Sequence, residues 1–192
     1  MIRIEHVTKT KGRTRILHEV SFEARPGRVT GFLGPNGAGK TSTLRVLLGL
    51  DRPQAGVALV DGKRYAELDR PLTTVGALLD GSGAHRSRSA RAHLRWMAAS
   101  NGLPRSRVDE VLDAVGLSAE AGKRAGRFSL GMSRRLGLAA ALLGDPPVLV
   151  LDEPINGLDP AGIRWMRAFL RESAAAGRTV LLSSHLMGEL AG

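Results

Sequence analysis

The sequence predicts an α/β fold, a mainly parallel sheet flanked by helices, and three observations carry that expectation. Short runs rich in β-branched residues alternate with longer stretches of helical spacing. A glycine-rich segment joins one of the strand-like runs to the helix-like stretch behind it. The length, 192 residues with 43% apolar, suits one compact domain with its own core better than two.

In chain order, residues 2–7 and 16–23 are strand-like pieces ahead of the glycine-rich segment, expected to form a small antiparallel sheet. Residues 29–33 read as the strand that enters the segment, and residues 40–50 as the helix that leaves it. Further strands are expected at 57–60, 73–79, 148–151 and 179–182, and further helices at 89–100, 105–115, 133–143 and 161–176. There is no internal repeat and no low-complexity linker. Residues 81–107 stand apart: they carry Arg86, Arg88, Arg91, Arg95, Arg105 and Arg107, with no acid between Asp80 and Asp109. They look like the start of a helical lobe inserted over residues 81–145. Its basic face is either a solvated surface or a docking surface for a partner or for anionic lipid heads.

Composition removes several classes of function. The absence of cysteine excludes a disulfide framework, a thiolate metal cluster and a cysteine nucleophile. Aromatic residues at 4% argue against a stacking surface for single-stranded nucleic acid. The net charge of +10 comes from 23 Arg and 5 Lys against 18 acids, a skew that codon usage alone can produce. The longest mostly apolar stretch, residues 136–143, is about half of what a membrane-spanning helix requires. Residues 1–15 lack the apolar core of a secretory signal, so the domain is expected to stay inside the cell.

Two motifs carry chemistry. Gly34-Pro35-Asn36-Gly37-Ala38-Gly39-Lys40-Thr41, with Ser42 behind it, fits a phosphate-binding loop between a strand and a helix. Successive backbone N–H groups and the helix N-terminus can then point at one anion. The glycines permit a close approach that side chains would block. Lys40 adds a positive charge for the β- and γ-phosphates, and the Thr41 hydroxyl can ligate Mg²⁺. The second motif is Val148-Leu149-Val150-Leu151-Asp152-Glu153, a buried-strand run ending in two acids. Beside a phosphate loop, Asp152 is expected to hold Mg²⁺ and Glu153 to orient the attacking water. Pro154 is expected to hold Glu153 in an extended rather than helical conformation, which aims it off the strand tip.

These motifs, in order, resemble the ATP-binding subunits of ABC transporters, and the likeness covers essentially the whole chain. Phe128-Ser129-Leu130-Gly131-Met132 lies where that family carries its signature Leu-Ser-Gly-Gly-Gln. Asn156-Gly157-Leu158-Asp159 follows Glu153 as the family's D-loop does, and Ser183-Ser184-His185 follows a strand as its switch histidine does. The resemblance implies a P-loop ATPase of the ABC type, using ATP and Mg²⁺. Two such domains would pair head to tail, most simply as a homodimer, so that Ser129, Leu130, Gly131 and Met132 of one subunit face the phosphate loop of the other. His185 would sense the γ-phosphate within its own subunit, and Asp159 would link the two sites. Closing on ATP and opening on hydrolysis would drive a separate transmembrane permease subunit.

Three departures from the family pattern bear on the expectation. Lys11 falls where an adenine-stacking aromatic is usual, which weakens base stacking. Asp80 stands where a Mg²⁺-contacting glutamine is usual and becomes a further metal-ligand candidate. Leu130 and Met132 replace a Gly and the Gln of the signature. An acid at the glutamine position, the Asn-Gly-Leu-Asp loop and one domain per chain resemble bacterial exporters of antibiotics, lantibiotic-like peptides or other drugs. The domain is then expected on the cytoplasmic side of the cell membrane, with indirect membrane contact and no nucleic acid bound. Two other readings compete: a soluble ABC-type ATPase acting on nucleic acid or ribosomes, and a nucleotide binder without turnover. The short separation of Lys40 from Ser129 leaves no room for the long coiled coil of DNA-acting members. Family members continue beyond the histidine through another helix and closing strands, so an edge of the fold is expected to be missing after residue 192.

Overall fold

The computed structural model describes residues 1–79 and 83–185. Its strands fall into two sheets, and the first is antiparallel. Strand β1 (Ile2–Lys11) pairs with β2 (Thr14–Ala24) on one side and with β4 (Ala55–Val60) on the other. The small sheet expected from the first two pieces is present, but β1 runs four residues past the expected end at 7 and β2 begins at 14 rather than 16, because the hairpin pairing continues to Lys11 and Thr14. Residues 57–60, grouped from the sequence with the parallel strands, belong to it instead. The reason is packing: Ala58 and Val60 are buried while Val57 and Leu59 are only half-buried, the alternation of a sheet with one covered face. Gly56, at φ +80°, also lies flat against the backbone of Glu5 and His6, where any Cβ would collide.

The second sheet is parallel, in the order β3 (Arg28–Leu33), β7 (Thr179–Ser184), β6 (Val148–Asp152), β5 (Val75–Leu78). Every residue of β6 and β7 is buried, as befits strands covered on both faces. Their side chains alternate between two cores. Val148, Val150 and Leu181 point toward the antiparallel sheet and helix α1 (Lys40–Leu47). Leu149, Leu151, Val180 and Leu182 point toward α3 (Ala90–Ser100), α4 (Ser106–Ala114), α5 (Leu130–Leu142) and α6 (Pro160–Ala175). The same parity continues to the strand ends, so Asp152 and Ser183 share the side of Val150 and Leu181.

The strand expected at 73–79 begins later. Pro71–Thr74 forms a single helical turn, α2, with Pro71 at its start and the hydroxyls of Thr73 and Thr74 donating to the carbonyl of Arg70 at 3.0 and 3.1 Å. Helix α1 stops short of residue 50 because Gly49, at φ +67°, closes it: Gly49 N donates to Val46 O and Leu50 N to Arg45 O. Helix α5 starts three residues before the expected 133. The lobe helices α3, α4 and α5 lie between β5 and β6 in the chain. Arg107 of α4 donates to the carbonyls of Leu142 and Leu143 at the end of α5. Of the basic cluster, Arg91 pairs with Asp109 and Arg88 stacks over Trp96, while Arg86, Arg95 and Arg105 are exposed. Among the described residues, no helix is long and apolar enough to cross a membrane.

Candidate active site

The glycine-rich loop connects β3 to α1, and its backbone is shaped by two glycines. Gly37 and Gly39 sit at φ +83° and +88°. A Cβ on Gly39 would lie 2.5 Å from Leu17 Cδ2 and 2.7 Å from the carbonyl oxygen of Ile16, so glycine is required there for space as well as for conformation. Helices α3, α5 and α6 each have a side-chain cap, from Ser89, Ser129 and Asp159. Helix α1 has none, and no acid in its first turn. Its N-terminal N–H groups and positive dipole end are left for an anion.

Around that helix start the sequence-predicted side chains converge. Lys40, only 6% exposed, donates from Nζ to the carbonyls of Gly34 at 2.6 Å and Pro35 at 3.1 Å. The same Nζ lies 3.3 Å from Glu153 Oε1. Glu153 Oε2 is 2.7 Å from His185 Nδ1, so the carboxylate is held between a lysine and an imidazole that donates Nδ1–H to it. Thr41 Oγ1 donates to Asp152 Oδ2 at 2.6 Å. Glu153 is not extended as expected ahead of Pro154: it adopts φ +47°, a left-handed conformation held by the Ser183 hydroxyl on its N–H, and the chain turns off the end of β6. A cleft of about 350 Å³ adjoins these groups, lined by Asn36, Gly37, Lys40, Thr41, Ser42 and Glu153 together with Lys11 and Ile16. Lys11 therefore lies at the cleft.

Mg²⁺ fits this donor set. The ion takes hard oxygen ligands and is commonly held by one carboxylate, a hydroxyl, water and substrate phosphates. Thr41 Oγ1 and Asp152 Oδ2 supply such a pair, and among the described residues no cluster of three His, Asp or Glu competes with them. Asp80 lies outside the described residues.

The signature and D-loop residues form a second group. Ser129 caps α5 by accepting the Met132 N–H at 3.2 Å, which leaves its O–H as a donor. Leu130 is 55% exposed, and its Cδ2 packs where a side chain on Gly157 would begin. Gly131 faces Leu158. Asp159 caps α6 by accepting the Gly162 N–H at 2.8 Å. None of these residues lines the phosphate-loop cleft. One residue of the centre carries no role in the sequence reading: Ser183, whose hydroxyl donates to Asp152 and accepts from the backbone of Glu153. Its only signal is its place at the head of the Ser183-Ser184-His185 motif, where no role attaches to it.

A strand–loop–helix with a buried lysine, facing a strand that ends in two acids, defines a P-loop nucleotide-binding domain. Comparison with known proteins makes this specific. The family model described as ABC transporter matches residues 17–156, and the chain belongs to that family. It is 39% identical over 193 residues to the bacitracin transport ATP-binding protein BcrA of Bacillus licheniformis, covering 99% of this chain and 63% of that protein. It is 33% identical over 190 residues to the lantibiotic transport ATP-binding protein SrtF of Streptococcus pyogenes, covering 99% of this chain and 82% of that one. The chain thus spans less than two thirds of the length of some curated relatives it matches. A solved ATP-binding subunit of an ABC transporter superposes with a TM-score of 0.84 at 25% identity, covering 97% of this chain and 80% of that chain.

Proposed function

We propose that this chain binds and hydrolyses ATP to power a membrane exporter of antibiotic or lantibiotic-like peptides. The observation that carries the proposal is the convergence of Lys40, Thr41, Asp152, Glu153 and His185 on the uncapped start of α1. Phosphates lie against the loop N–H groups and Lys40, and Glu153 takes up the proton of the attacking water while His185 holds the far side of its carboxylate. Thr41 and Asp152 would hold Mg²⁺, which would supply charge neutralisation for the phosphates. Membership of the ABC transporter family and likeness to bacitracin and lantibiotic transport ATP-binding proteins support the transported class.

One ATP-binding domain then accounts for the chain, with residues 81–145 as its helical lobe. Ser129, Leu130, Gly131, Met132 and Asp159 stand away from the cleft of their own subunit, which suits service to a second copy paired head to tail. A separate transmembrane subunit provides the path for the cargo and holds the domain at the cytoplasmic face of the membrane. The decisive experiment is phosphate release by wild type and Glu153→Gln. The substitution keeps the shape and removes the base, so turnover falls by about 10²–10⁴ while ATP binding persists. Equal release by the two proteins would remove Glu153 from the mechanism.

A further inference from the structure

Ser183 is fully buried near the end of β7, and its single hydroxyl makes two bonds. It donates to Asp152 Oδ1, and it accepts the backbone N–H of Glu153 at 3.0 Å. The parallel register sets Ser183 directly beside Asp152, on the face that both share with Thr41. With Oδ1 fixed by Ser183, the plane of the Asp152 carboxylate is set, and Oδ2 is presented to Thr41. Without that bond the carboxylate turns about a broad sp³–sp² torsion that has no strong preference of its own. The second bond acts on the backbone of Glu153. A glutamate at φ +47° persists only where its surroundings hold it, and Ser183 supplies a hydrogen bond at that residue's own N–H.

We propose that Ser183 is a positioning residue that orients both acids of the site through one hydroxyl: the metal-facing oxygen of Asp152, and the Glu153 carboxylate between Lys40 and His185. This rests on the reading of the centre as a Mg²⁺-dependent ATPase. A hydroxyl is the smallest side chain able to donate and accept at once, and threonine retains both capacities. Alanine retains neither, and cysteine makes both bonds weakly.

The test compares wild type with Ser183→Ala, Ser183→Cys and Ser183→Thr in three measurements. These are phosphate release across a Mg²⁺ titration, affinity for a fluorescent ATP analogue in EDTA and in Mg²⁺, and thermal unfolding without nucleotide. Loss of an outer-shell partner typically costs about 10–100-fold in metal affinity or activity. Ser183→Ala should lower kcat by about that factor and raise the Mg²⁺ concentration at half-maximal rate, with EDTA affinity within about twofold of wild type. Threonine should restore both readouts and cysteine should fall between. Wild-type kcat and Mg²⁺ dependence in a folded Ser183→Ala protein would overturn the proposal, as would a folded Ser183→Thr as impaired as Ser183→Ala. If the alanine variant does not fold, a cysteine variant indistinguishable from wild type overturns it equally. A wild type without turnover would refute the ATPase reading, yet the Mg²⁺ dependence of nucleotide affinity would still read Ser183.

Discussion

Lys40 concentrates the residue-scale argument, because it is buried and makes contact on three sides: two loop carbonyls and the Glu153 carboxylate. On the proposed function, a phosphate reaching the loop would take the place of Glu153 as its counter-ion. Lys40→Ala should therefore weaken ATP binding by about 10–100-fold, the worth of a hydrogen bond to a charged group. Equilibrium titration with a fluorescent nucleotide reads it, and unchanged affinity would separate Lys40 from the phosphates. Lys40 and Thr41 were legible in the sequence because a loop that must admit a phosphate tolerates few residue types at fixed spacing, and Asp152 and Glu153 because an apolar strand run ends in them. Ser183 was not. A serine inside a strand looks like any other, and only the β6–β7 register reveals that it stands opposite Asp152.

Among the elements, those with strong local signals emerged where expected and those defined by their neighbours did not. The β1–β2 pair, α3, α4 and α6 follow from periodicity and breakers. The direction of β4 does not, because four apolar residues carry no information about which strand they will join. Thr73 and Thr74 have strand-forming side chains, yet Pro71 and the carbonyl of Arg70 draw them into a helical turn. Helix α5 likewise begins at its cap, Ser129, ahead of the periodic stretch. Caps carry a prediction of their own. Asp159→Ala removes the side chain that accepts the Gly162 N–H at the start of α6, and should lower stability by about 1 kcal/mol. Urea unfolding at neutral pH measures it, with Asp159→Asn close to wild type because asparagine caps equally well.

For the whole molecule, the two cores are joined through β6 and β7, and the lobe side contains a buried titrating group. His93 of α3 is 4% exposed, and both ring nitrogens lack a hydrogen-bond partner. Burial, followed by the nearby charge of Arg88, holds its pKa below the ordinary value of 6.5. The unfolded chain therefore binds the proton more readily than the folded one. The stability linked to His93 is complete above pH 6.5 and is lost as pH falls through that value toward the lower folded one. Urea midpoints of wild type should decline between pH 7 and pH 5 more steeply than those of His93→Leu; parallel declines would remove His93 as the cause. The split core bears on the chemistry as well. Asp152, Ser183 and His185 sit at the tips of the strands around which both cores are built. Local opening of either half leaves those strands packed against the other, so their amide hydrogens should be among the slowest in the domain to exchange.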